Sequence, residues 1–253
     1  MKYLNIFNVH VNCTDRKTLL KDIQDMVHKK QASYIAFTNV HVIVTAMKNE
    51  QLRKTLNEAD RVAPDGMPLV WLGKFLMKSG VERCSGPDIM EEVMKVSNVN
   101  GYSHYFYGST EDTLSRLQQE LSIKYPKLKI AGSYSPPFRE LSKEEDQIIV
   151  NEVNRLSPDF IWVGLGAPKQ EIWMKKHKKL INRGVMMGVG AAFDFHAGSI
   201  KRAPHWMQKV GFEWLFRLIQ EPKRLWKRYF ITNLVFLYSL LTKGVKLEER
   251  EIL

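Results

Sequence analysis

In "RVAPDGMPLVW", residues 61 to 71, Asp65 stands between Pro64 and Gly66 and ahead of an apolar run. A Pro-Asp-Gly triplet turns a chain, and it also holds a carboxylate rigidly enough to aim it at a substrate as a proton acceptor. Both readings stand on these residues alone. Arg83, in "VERCSGPDIM", adjoins a Gly-Pro-Asp helix start, where a guanidinium can grip a phosphate or carboxylate with two hydrogen bonds; the plainer reading is a loop charge. Asp194 lies between Phe193 and Phe195 at what reads as a strand end, suited either to a sugar hydroxyl or base contact or to a structural cap.

Glycine turns supply a second kind of chemistry. "VGLGAPKQEIW" carries Gly164 and Gly166 after a strand and opens a helix at about Pro168, and "GVGAAFDFHAG" carries Gly188, Gly190 and Gly198. Gly108-Ser109 in "YFYGSTED" is a third such turn. Turns of this kind at the ends of parallel strands let backbone amides and a helix N-terminus approach a phosphate, although they also occur simply as connectors. Lys169 and Gln170 begin the helix after Gly166, where a side chain can reach over the strand ends or lie in a solvated first turn. Neither glycine run places its third glycine as a dinucleotide fingerprint does, and no acidic residue about 20 positions on completes that unit, so a nicotinamide oxidoreductase is a minor alternative.

Elements that hold these residues are legible as alternation. Strand-like runs "SYIAFTNV", "HYFYGS", "KIAGSY", "DFIWVGLG" and "GVMMGVGAAFDF" alternate with helical stretches over roughly 42–59, 88–96, 110–124, 143–155 and 169–182. Ser109, Asp112 and Ser142 are candidate caps. This is the pattern of an α/β protein with a parallel sheet flanked by helices. The N-terminal "MKYLNIFNVHVN" interrupts its apolar residues with asparagines, unlike the continuous core of a signal peptide, and reads as a strand.

The 253 residues hold only Cys13 and Cys84, with no Cys-x-x-Cys and no His-Glu-x-x-His, so neither a disulfide framework nor a zinc site is supported and a reducing compartment is the default. His196 and His205 lack a third ligand nearby, and neither is read as a metal ligand. Net charge is +11, and residues 201–230 hold eight lysines and arginines against Glu213 and Glu221, so the basicity is concentrated near one end. Charge alone fits nucleic acid, anionic lipid or a phosphate-rich small molecule.

The simplest division is an α/β catalytic domain over 1–195 and a basic, aromatic-rich helical appendage over 196–253. Within the appendage one helix ends near Gln220, the chain breaks at Glu221-Pro222, and a second helix runs toward Leu241. The apolar stretch 230–241 has 12 residues, short of the roughly 20 that span a bilayer. Arg217, Arg224 and Arg228 are spaced to share a face with Trp214, Trp226 and Tyr229, the pattern of a helix lying on a membrane surface; packing of Trp214, Leu215, Leu218, Leu225 and Trp226 as ordinary core is the alternative.

Taken in order, "NVHVIVTAMKNEQLRKTLNEADRVAPDGMPLVW", "ERCSGPDIMEEV", "VGLGAPKQEIWM" and "GVGAAFDFHAGSIKRAPHWMQKVGFEWLFRLIQEPKRLWKRY" resemble, over nearly the whole chain, the bacterial glycosyltransferases of family 26, the TagA/WecG/CpsF type. The resemblance implies a Rossmann-like α/β domain with a C-terminal appendage that docks on a membrane. It further implies inverting transfer of an N-acetylmannosamine-type sugar from a UDP-sugar to GlcNAc on a polyprenyl diphosphate, in wall teichoic acid or surface polysaccharide synthesis at the inner face of the bacterial plasma membrane. By the same resemblance Asp65 is the general base, Asn39 and Thr38 are catalytic positions, and Arg83, Gln170 and Asp194 contact the diphosphate, sugar or uridine. Many members read Thr-x-Asn where this chain reads Phe37-Thr38-Asn39, which moves the threonine to the other side of its strand.

Other expectations follow from residues and resemblance together. No Asp-x-Asp occurs, so metal-independent transfer is expected, with no cofactor, and Arg83, Arg217, Arg224 and Arg228 are candidates to neutralise the leaving UDP. Gly108, Ser109, Gly164, Gly166 and Lys169 complete the expected substrate-binding set. A nucleic-acid partner is the least favoured alternative, because it leaves Asp65 and the glycine turns unused; a homo-oligomer is allowed.

Overall fold

The computed structural model describes residues 2–77 and 80–249. The chain begins with a hairpin, β1 (Lys2–Ile6) and β2 (Val9–Asn12), before α1 (Arg16–His28), which is capped by Asp15 accepting from the Thr18 amide at 2.7 Å. Strand β3 (Ala32–Thr38) leads into α2 (Val40–Lys48), which ends at Asn49; α3 (Glu50–Asn57) then starts with the Asn49 side chain as its cap. The single helix expected over 42–59 is therefore two. Asn49 is extended, at φ −120° and ψ 101°, and its side chain accepts from the Leu52 amide, so a local cap competes successfully with helix continuation.

Next come β4 (Arg61–Pro64), α4 (Met67–Met77), α5 (Gly86–Asn100), β5 (Ser103–Gly108), α6 (Glu111–Lys124), β6 (Lys129–Tyr134), α7 (Lys143–Leu156), β7 (Phe160–Gly164), α8 (Lys169–His177) and β8 (Gly184–Gly188). Thr110, not Ser109 or Asp112, caps α6, while Ser142 caps α7 in a reciprocal box with Glu145. The six strands form a parallel sheet in the order β4-β3-β8-β7-β5-β6. Its faces are both covered, as the apolar runs require. Ile35, Phe37, Phe106, Trp162 and Met187 point into one core with α1, α5 and α6; Tyr34, Tyr105, Tyr107, Ile161, Val163 and Met186 point into the other with α7 and α8.

After β8 the run expected as a continuous strand turns at Gly190 and becomes a short helix, α9 (Ala192–His196). Asp194 therefore sits in a helix and not at a strand end. The remaining chain forms α10 (His205–Lys209), α11 (Glu213–Gln220) and α12 (Pro222–Lys243), broken at Glu221-Pro222 as the proline predicts, and closes with β9 (Val245–Glu249). The tail is thus not helical to its end: β9 pairs antiparallel with β1, giving a second sheet in the order β2-β1-β9. Phe236 of α12 is buried with Leu4, Phe7, Val40, Ile43 and Leu69, so the appendage returns to the body and shares one of its cores.

Candidate active site

Backbone geometry at the ends of β3 and β4 fixes the carboxylate first. The Asp65 amide donates to the Thr38 carbonyl at 2.9 Å, extending the β3–β4 ladder by one residue, and Gly66 packs its α-carbon against Asn39, where a Cβ would lie 3.2 Å from the Asn39 Cβ. Arg83 then approaches from the segment before α5. Its Nε donates to the Asp65 carbonyl at 2.9 Å, and its Nη2 lies 3.7 Å from Asp65 Oδ1 while bonding directly to Glu213 Oε2 of α11. Burial raises the Asp65 carboxyl to about 6; the Arg83 and Arg202 charges oppose the rise, and those of Glu213 and Asp88 add to it. The 24% of its side chain left open faces a cavity of about 1090 Å³.

That cavity lies over the carboxyl ends of the sheet strands, where open α/β sheets place ligands. Asn39 lies on its wall; its Oδ1 caps α2 by accepting from the Val42 amide at 3.2 Å. The floor is built from the two glycine runs. Gly164 and Gly166 follow β7, Gly188 and Gly190 follow β8, and a Cβ at Gly164 would lie 2.6 Å from the Phe193 ring, so α9 packs against β7 only because that position has no side chain. Gln170 locks the runs together: its Oε1 accepts from the Gly166 amide at 3.1 Å and its Nε2 donates to the Gly188 carbonyl at 2.9 Å and to Glu171 Oε1 at 2.8 Å. Gln170 is therefore a buried brace as well as a lining residue.

Opposite the floor, α11 and α12 supply the cationic wall. Arg217, Arg224 and Arg228 all line the cavity with Trp214 and Tyr229, whereas Trp226, expected on the same face, is exposed outside it. Glu221 holds Arg217 at 3.2 Å and Arg224 at 2.8 Å, and the Arg217 guanidinium lies 5.4 Å from the Phe195 ring centre. Arg228 has no carboxylate partner among the described residues. Its charge, after burial, helps push the His41 imidazole down to about 4. Asp194 faces the same space, its carboxyl raised by burial and restrained by Arg217 and Arg224.

Not every expected residue reaches the cavity. Thr38 is fully buried and absent from the wall, whereas its neighbours Phe37 and Asn39 are on it; strand alternation turns the threonine away, and its contribution to the geometry is the carbonyl that holds the Asp65 amide. Gly108 and Ser109 lie at the end of β5, outside the lining, with the Ser109 carbonyl accepting from the Ser135 hydroxyl at 2.8 Å. Lys169 is exposed on the first turn of α8 and also outside it. Among the described residues no group of three or more His, Cys, Asp or Glu side chains is placed to hold a metal ion.

Sequence reading missed the residues that tie the tail to the body. Glu213 bonds Arg83 and Arg202, and Arg202 bonds Asp88, which in turn accepts from Arg16 at 3.0 Å and Ser85 at 2.7 Å. Alternating charge along this chain of contacts leaves every member paired, and the Asp88 carboxyl is held low by its Arg202 and Ser85 hydrogen bonds despite burial. The only signal in the sequence was an acid within a basic tail.

The model of the Glycosyl transferase WecG/TagA/CpsF family matches residues 4–250. An N-acetylglucosaminyldiphosphoundecaprenol N-acetyl-beta-D-mannosaminyltransferase of Bacillus subtilis (strain 168) is 30% identical over 80% of this chain and 77% of its own length. A protein of the same name from Staphylococcus aureus (strain MW2) is 27% identical over 94% of this chain and 91% of its own. With one family pattern spanning the hairpin, the sheet, the cavity and the returning tail, the chain belongs to the WecG/TagA/CpsF family of glycosyl transferases.

Proposed function

We propose that this protein transfers N-acetylmannosamine from UDP-N-acetylmannosamine to the GlcNAc of a polyprenyl-diphosphate-linked acceptor, with inversion, in teichoic acid or related surface-polysaccharide synthesis. The observation that carries the chemistry is one cavity in which the raised carboxyl of Asp65 faces the arginines of α11 and α12. Asp65 takes the proton from the acceptor hydroxyl as its oxygen bonds to the anomeric carbon, and the bond from that carbon to the UDP oxygen breaks with the electron pair leaving on the diphosphate. Arg217, Arg224 and Arg228 meet the charge that develops there. Asn39, Asp194 and the Gly164–Gly166 and Gly188–Gly190 turns shape the donor's seat.

The membrane is the partner surface on this reading. Phe230, Ile231, Leu234, Tyr238 and Leu241 of α12 and Phe75 of α4 are exposed, and lysines and arginines flank the first turns of α12. No helix of the described residues is long and apolar enough to cross a membrane, so the contact is peripheral, at the inner face of the plasma membrane where the lipid-linked acceptor and the UDP-sugar meet. A nucleic-acid role fits less well, because it leaves Asp65 and the cavity that Arg217, Arg224 and Arg228 line with it unused.

Transfer from a panel of UDP-sugars to a short-chain lipid-diphosphate GlcNAc, with and without EDTA, tests the proposal. The expected product is the N-acetylmannosamine disaccharide, formed with EDTA present. Preference for another donor sugar would overturn the substrate assignment, and loss of product with EDTA would overturn metal independence.

A further inference from the structure

The contact between Arg83 and Glu213 connects two parts of the chain 130 positions apart, and it does so directly beside Asp65. Arg83 is the nearest cation to the Asp65 carboxylate, yet its guanidinium is turned so that Nε meets the Asp65 carbonyl and Nη2 meets Glu213, leaving 3.7 Å to Asp65 Oδ1. A free guanidinium at this distance would pair with the carboxylate in two parallel hydrogen bonds and weaken it as a base. We infer that Glu213 is a positioning residue for transfer: by occupying the outer edge of Arg83 it keeps the guanidinium off the Asp65 carboxylate, so that α11 of the appendage completes the general base of the α/β body. This rests on the proposed role of Asp65 as that base.

The surroundings favour such a role over a merely structural latch. Structural attachment of the tail is already supplied by Arg202 on Asp88, by Phe236 in the shared core and by the β1–β9 pairing. The charged groups that act on Asp65 are Arg83, Glu213, Asp88 and Arg202, and those on Glu213 are Arg83, Arg202 and the Asp65 carboxylate beyond. Replacing Glu213 by a neutral group acts in one direction through all of them. The carboxylate repulsion on Asp65 is lost, Arg83 is free to swing onto it, and Arg202 keeps Asp88 but loses its second acid. Asp65 becomes the stronger acid and the poorer proton acceptor.

The test uses the full chain with Glu213→Gln and Glu213→Asp. The Asp65 carboxyl is followed by carbon-13 NMR in protein labelled at aspartate carboxyls, its signal identified by loss in Asp65→Asn, alongside pH profiles of kcat/KM. In Glu213→Gln the Asp65 titration midpoint is expected to fall by about one pH unit or more, the acid limb of kcat/KM to move with it, and the plateau rate to drop about 10-fold. Glu213→Asp should restore the midpoint. An unmoved midpoint in folded Glu213→Gln would overturn the inference, as would equal shifts in both variants. Because the NMR titration needs no turnover, the inference fails or holds separately from the substrate assignment. Failure of that assignment would appear as a wild-type protein that transfers no N-acetylmannosamine.

Discussion

On the proposed mechanism Asp65 carries two opposed demands, since the burial that would make it a competent base at neutral pH also works against folding. Its carboxyl is raised to about 6 from the ordinary 3.8. The folded chain therefore binds the proton more tightly than the unfolded chain, and the stability this adds is full below pH 4 and lost as the pH rises to about 6. Asp65→Asn should then remove a strain of up to about 3 kcal/mol at pH 8, read as a higher urea midpoint, while turnover falls by about 10²- to 10⁴-fold. In the wild type, kcat/KM should fall below a midpoint near pH 6 as Asp65 is protonated; an acid limb near pH 4 would place the base elsewhere. The sequence made Asp65 legible because a Pro-Asp-Gly turn is a local signal. It did not reveal Glu213 or the brace made by Gln170, whose partners lie far away in the chain or in the backbone of another turn.

At the level of elements, the end of the parallel β5–β7 pair, where Gly108 lies opposite Gly164, has no room for a side chain. Gly108 has φ +116°, and a Cβ there would stand 2.7 Å from the Gly164 carbonyl carbon, backbone that cannot step aside. Gly108→Ala should lower stability by about 2–4 kcal/mol, measurable by urea unfolding, with no change in the cavity lining that Gly108 does not join. Helix α12 makes the opposite case, because its outer side is free to change. Phe230 and Leu234 are more than half exposed and lie off the cavity wall, so Phe230→Ser with Leu234→Ser should leave melting unchanged and weaken binding to anionic vesicles about 10-fold or more. Transfer to a water-soluble short-chain acceptor should be spared. Strands β3, β5, β6, β7 and β8 and most of the long helices were legible from period, and so was the break at Pro222, whereas β4 and the turn that makes the N-terminal strand a hairpin were not. The split at Asn49 and the α9 turn were not, because a cap hydrogen bond and a glycine turn override an apolar run that reads equally well as one element.

Across the whole molecule, the tail is held at both ends, by the Arg83–Glu213–Arg202–Asp88 chain at its start and by β9 on β1 at its finish. The strand at its finish was invisible in a segment read as helix, since "VKLEE" is short and charged and its partner is the N-terminal hairpin. Between these ties α12 presents one side to the cavity and the other outward. If the proposed function holds, a catalyst built this way meets its two substrates in different dimensions: the donor arrives from a volume, the acceptor from a plane. Its rate should follow the mole fraction of acceptor in the lipid and not its amount per litre. Mixed vesicles in which inert lipid is added at constant total acceptor would then show turnover falling in proportion to surface dilution, even with all of the enzyme bound.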